Sequence, residues 1–197
     1  MIPAIAARRL RRAEVALGLL GLTLLGGALA AMVDARLYQA RQGRAFSALE
    51  RGTAARVATS DPAPAADPLV MGRIEIPRLG ISAIVREGDD DGTLAVAVGH
   101  IPGTAGPGEL GNMALAGHRD SFFRALEGIR LHDSIEFRTA GRRYRYLVDS
   151  TEVVEPEETR VLDPTGSAVL TLVTCYPFQW VGHAPRRFIV RARRDPS

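Results

Sequence analysis

The chain has 197 residues, one cysteine and no lysine, its 25 basic residues all being arginine, which excludes an intramolecular disulfide framework, a cysteine-rich zinc site and a lysine nucleophile. With 46% hydrophobic and 24% charged residues it has the composition of a folded chain, long enough for one domain and a tail. The net charge of +3 is uneven: residues 1–68 hold 9 arginines against 5 acids and residues 69–197 hold 16 against 17, so the folded part lacks the basic surface that a nucleic-acid partner requires.

The densest basic cluster, Arg8, Arg9, Arg11 and Arg12, stands before Val15–Val33, 19 residues without a charge. As a helix this run is about 28 Å long, close to the roughly 30 Å apolar core of a bilayer. It predicts a transmembrane anchor with a cytoplasmic N-terminus. Ala28-Leu29-Ala30 resembles a cleavage site and leaves a cleaved signal peptide open. Either way the remainder is expected outside the cytoplasm, on the cell surface or in the periplasm. The expected organisation is a basic segment 1–14, an anchor 15–33, a juxtamembrane segment and linker 34–68, and a domain 69–197. The linker ends in ATSDPAPAADP (58–68), whose three prolines make a stiff, solvated spacer.

From Leu69 short apolar runs alternate with Gly, Pro and Asp. Strands are predicted over 70–76, 81–86, 113–117, 134–138, 143–149, 168–174 and 187–193, a pattern of sandwiches and barrels. Asp120-Ser121 is predicted to cap a short helix with Phe122, Phe123, Leu126 and Ile129 on one face. Residues 153–166 read as a long connection of the kind that often serves a site.

Cys175 ends the strand AVLTLVTC. A cysteine after an apolar strand is often buried and inert, but a strand end facing a loop is also where a nucleophile is presented. Its chemistry needs a nearby base and an oxyanion donor. His118, in LAGHRD between a strand and a helix, is a candidate base. His183, in the loop after Cys175, and His100 are others, while His132 reads as a turn residue. Arg186 and Arg187 open the last strand. Alternation puts Arg186 with Phe188 and Val190 on the apolar face and Arg187 with Arg191 on the polar one. The four histidines lack ligand spacing and Asp89–Asp91 lacks the EF-hand pattern, so neither a metal nor a cofactor is expected.

The ordered set GRIEIPRLGI (72–81), GHIPGTAGPGELGN (99–112), LAGHRD (115–120), TLVTCYPF (171–178) and RFIVRA (187–192) resembles the sortase family, most of all class D sortases or those outside Gram-positive bacteria. The resemblance implies a mainly β fold, an eight-stranded sortase-type β-barrel with short helices, preceded by the N-terminal transmembrane helix. It implies a membrane-anchored cysteine transpeptidase acting on secreted proteins that carry a C-terminal LPxTG-like sorting signal. Cys175 would attack the Thr–Gly carbonyl to form a thioacyl intermediate, with His118 as acid and base. Arg187, directly before the apolar triplet Phe188-Ile189-Val190, would stabilise the oxyanion. An amine on the envelope or on another protein would resolve the intermediate. Thr174, Leu115, Ala116, Val173, Tyr176 and Trp180 are expected to bind substrate. Two other functions stay open: a cysteine hydrolase with the same site, and a non-catalytic membrane-tethered β-module.

Overall fold

The computed structural model describes residues 4–54 and 67–195; most of the predicted proline spacer lies outside them. The strands are β1 (Val70–Ile76), β2 (Ile81–Glu87), β3 (Val98–His100), β4 (Asn112–Ala116), β5 (Ser134–Arg138), β6 (Arg143–Val154), β7 (Val169–Tyr176) and β8 (Arg186–Arg194). They close a barrel in the order β1-β2-β3-β4-β7-β8-β6-β5. The pairs β2–β3 and β4–β7 are parallel and the remaining pairs antiparallel. Alternation sends Ile74, Ile76, Leu115, Phe137, Leu172 and Val190 into one apolar interior.

The seven predicted strands correspond to seven of these eight. The eighth, β3, is three residues long and carries no periodic pattern; its pairing with β2 on one side and β4 on the other defines it. The Asp89–Asp91 run opens a short helix, α2 (Asp91–Val96), where Asp90 accepts from Thr93 N at 3.1 Å and Thr93 Oγ1 at 2.8 Å. β6 continues to Val154 because, past an irregularity between Val148 and Ser150, it stays paired with β8. The predicted helix after Asp120 is a 3₁₀ turn, Arg124–Gly128, with Phe123 at its N-cap and no side-chain cap. Its apolar face is as read: Phe123 and Leu126 are fully buried, with Phe122 and Ile129 against the same core.

One helix, α1, runs Ala4–Ala54, and the chain divides into two units at Leu37/Tyr38. In the first unit the helix exposes apolar side chains all round, among them Leu17, Leu20, Leu22 and Leu25. The helix is long and apolar enough to cross a membrane.

The second unit begins earlier than the expected start at 69, because the end of α1 belongs to it. Ala45 and Phe46 are buried at 2% and 4% exposure. Gln39 ties α2 to β2, its Nε2 donating to Val96 O and its Oε1 accepting from Ile84 N, at 2.8 and 2.9 Å. Arg73 donates to Gly43 O and lies over the Phe46 ring. Burial together with a hydrogen bond to Asp67 pushes the Tyr38 hydroxyl up to about 12. Gln39→Ala would strand one amide and one carbonyl, at a cost of about 1–3 kcal/mol. The expected fall in Tm is about 2–4 °C per kcal/mol, measured by thermal unfolding.

In the turn after β1, Arg78 donates to both carboxylate oxygens of Asp133 at 2.5 Å. These bonds hold the Asp133 carboxyl below its ordinary value of 3.8, against the opposing effect of burial. Stability from this pair is present above 3.8 and lost as pH falls through the depressed folded value. Asp133→Asn should lower Tm at neutral pH and flatten its dependence on pH in the acid range, which thermal unfolding across a pH series checks.

Candidate active site

The parallel pair β4–β7 and the antiparallel pair β7–β8 set three functional groups side by side. β7 alternates strictly. Leu170 and Leu172 belong to the interior, and Thr174 shares their face by register. Val173 and Cys175 fall on the outer face. Val173 packs there against Ile189, Val154 and Val161 under the connection that follows β6. This burial explains why the face of β8 carrying Arg187 is not wholly polar. Asn112 fastens that connection: its Nδ2 donates to Val161 O and Asp163 O, and its Oδ1 accepts from Thr171 Oγ1 at 2.6 Å.

Cys175 is a half-buried free thiol and stands directly opposite Arg187 in the β7–β8 register. Arg186 stands opposite Tyr176, is exposed, and pairs with Glu155 at 3.1 Å. Arg187 donates from Nη1 to Ala184 O and Arg186 O at 3.3 and 3.1 Å. Its Nε and Nη2 have no acceptor among the described residues.

His118 is fixed by the backbone on both sides. Gly117 N donates to Val173 O, prolonging the β4–β7 ladder, and Thr174 Oγ1 donates to Gly117 O at 2.7 Å. His118 O accepts from Phe123 N at 3.0 Å, which turns the chain. A glycine is required before it, since a Cβ on Gly117 would lie 2.7 Å from the Phe123 ring. His118, Arg119, Asp120, Cys175, Gly182, His183, Ala184 and Arg187 line one cavity of about 270 Å³. A larger groove of about 670 Å³ lies between residues 79–83 and 121–128 and contains neither Cys175 nor a histidine.

The residues expected to bind substrate divide by face. Ala116 and Val173 are register partners on the face of Cys175. Leu115 is fully buried in the interior, and Thr174 is buried with its hydroxyl spent on Gly117. Tyr176 stacks on Phe188, 6.2 Å between ring centroids, beside Phe178. Leu115 and Thr174 lie on the interior faces of their strands and Tyr176 in this aromatic group, and none of the six lines the cavity that holds Cys175. Trp180 is half-exposed in the loop between β7 and β8.

His100 lies away from the cavity, with Nδ1 against Glu87 Oε2 at 2.8 Å and Nε2 against Ala105 O at 3.0 Å. His132 has a positive φ of 68°, consistent with a turn. Sequence reasoning missed Arg119, which reaches the β7–β8 loop. Its only signal was its place beside His118. No cluster of metal-ligating side chains occurs among the described residues.

A closed eight-stranded barrel with a strand-end cysteine facing an arginine, and a histidine in the same cavity, defines a class. Residues 74–195 match the sortase domain. The chain belongs to the sortase family. It is similar to Sortase D of Bacillus subtilis, 32% identical over 124 residues, covering 62% of this chain and 63% of that one. It therefore spans less than two thirds of that relative's length. It is also similar to sortase C-1 of Actinomyces oris, with 33% identity and a TM-score of 0.60, covering 66% of this chain and 76% of the other. The Clostridium perfringens Sortase D5 transpeptidase shares the fold at 24% identity, with a TM-score of 0.63 over 83% of this chain and 99% of that one.

Proposed function

We propose that the protein is a membrane-anchored cysteine transpeptidase that cuts an LPxTG-like sorting signal and joins the released carbonyl to an amine. The observation that carries this reading is that Cys175, His118 and Arg187, from three separate segments, line one cavity. The Cys175 thiol passes its proton to His118 as its sulfur attacks the Thr carbonyl carbon of the signal. As the tetrahedral centre collapses, the Thr–Gly C–N bond breaks and His118 gives its proton to the departing glycine amine. The product is a thioester on Cys175. An incoming amine attacks that carbonyl, loses a proton to His118, and frees the thiolate. Arg187, opposite Cys175 and with no acceptor for Nε and Nη2 among the described residues, donates to the oxyanion in both tetrahedral states.

Ala116 and Val173, on the face of Cys175, offer an apolar floor for the signal, with Trp180 at the rim. The exposed apolar stretch of α1 and the arginines before it support anchoring with the domain outside the cytoplasm. The test is product analysis of an LPxTG-type peptide with and without a labelled primary amine. Transfer in preference to hydrolysis is expected. Cleavage that ignores the amine would make the protein a hydrolase. Protease added to intact cells or spheroplasts should digest the domain, and a protected domain would contradict the topology.

A further inference from the structure

The loop between β7 and β8, residues 177–185, borders the Cys175 cavity, yet its tip is bare: Trp180 is 50% and Val181 95% exposed. Apolar packing cannot hold such a tip in place. Before the tip, Gln179 Nε2 donates to Glu127 Oε2 at 3.3 Å on the exposed surface; the tip carbonyls themselves are held by one guanidinium. Arg119 Nη2 donates to Trp180 O at 2.8 Å and to Gly182 O at 2.9 Å, one hydrogen to each carbonyl. Gly182 has a φ of +88°, a conformation that glycine adopts without strain. The far end of the same loop is bound by Arg187, through Ala184 O.

Arg119 is the residue after His118. The turn that fixes His118 therefore also fixes the root of the side chain that holds the loop. Its Nη1 is buried with no acceptor among the described residues, so its hold on the protein runs through Nη2. Loss of these two bonds would release the tip and, through Ala184, the segment against which Arg187 is braced.

We propose that Arg119 is a positioning residue that locks the β7–β8 loop to the His118 turn, so that Arg187 and the cavity wall keep their places while the thioester forms and is resolved. The inference rests on the transpeptidase reading but acts through the loop, so loop order can be read separately from activity. Trp180 is the only tryptophan in the chain, which makes its fluorescence a reporter of this loop alone.

The experiment compares the full chain in detergent, wild type against Arg119→Met and Arg119→Lys. Three quantities are followed: time-resolved anisotropy of Trp180, Tm, and steady-state transfer from an LPxTG-type peptide to an amine. For Arg119→Met the fast component of the anisotropy decay should grow and kcat should fall on the order of 10–10²-fold, the scale set by small misplacements at a reacting centre. KM and Tm should change little. Arg119→Lys retains a cation with donors and should recover part of both kcat and loop order. Anisotropy identical to wild type in Arg119→Met, or a loosened loop with kcat unaltered, would overturn the proposal. A wild-type protein that transfers nothing while Trp180 loosens as expected would remove the transpeptidase reading and leave the hold of Arg119 on the loop standing.

Discussion

His118→Ala should reduce transfer by about 10²–10⁴-fold, the range for loss of a positioned general acid and base, and Cys175→Ala should leave no transfer. Two histidines line the cavity, so the contrast with His183 carries the information. A proton-transfer group works from a fixed position. His118 is clamped between the end of the β4–β7 ladder and the turn closed by Phe123 N. His183 is exposed on the loop, where the backbone on either side of it, at Gly182 and Ala184, is held only by the side chains of Arg119 and Arg187 and by no backbone ladder. His183→Ala should therefore keep most of the activity. His132→Asn is a suitable distant control, because asparagine tolerates the positive φ at that position. Steady-state transfer by the folded variants decides. A loss at His183 as large as that at His118 would reassign the acid–base role.

Arg187→Ala should lower kcat by about 10²–10³-fold, as for loss of an oxyanion donor. Arg187→Lys should recover little of it, because an ammonium lacks the planar fork that lets one nitrogen brace on Ala184 and Arg186 while the others face the reacting carbonyl. Arg186→Ala should be nearly silent. Both residues are arginines at the start of one strand, so net charge cannot separate them, but register does: Arg187 stands across from Cys175 and Arg186 across from Tyr176. The ion pair of Arg186 with Glu155 is solvent-exposed, and pairs of that kind contribute about 0–1 kcal/mol. A large loss confined to Arg186→Ala in the same assay would contradict this assignment.

Much of the barrel is written in local pattern. β1, β2 and β5 to β8 alternate or run apolar between turn residues, and period-two alternation on β8 was enough to separate Arg186 from Arg187. What escaped depends on partners distant in sequence. β3 exists because β2 and β4 flank it. The end of α1 reads as a mixed-charge solvated helix until Ala45 and Phe46 meet the barrel. The face of Leu115 and Thr174 follows from the register of β4 against β7, which a single strand does not encode, and both are buried. Arg119 shows the same limit. Its neighbour His118 was legible from LAGHRD, whereas its own contacts lie 61 and 63 residues further along the chain.

The central claim is that acyl transfer passes through the Cys175 sulfur. Intact-protein and peptide mass spectrometry after mixing the protein with an LPxTG-type peptide, first without an amine and then with one, tests it most directly. The expected result is a peptide acyl adduct mapped to Cys175, formed with release of the glycine-led fragment and discharged into the transfer product when the amine is added. Transfer product appearing from Cys175→Ala, or an adduct on Cys175 that persists while product accumulates, would contradict it.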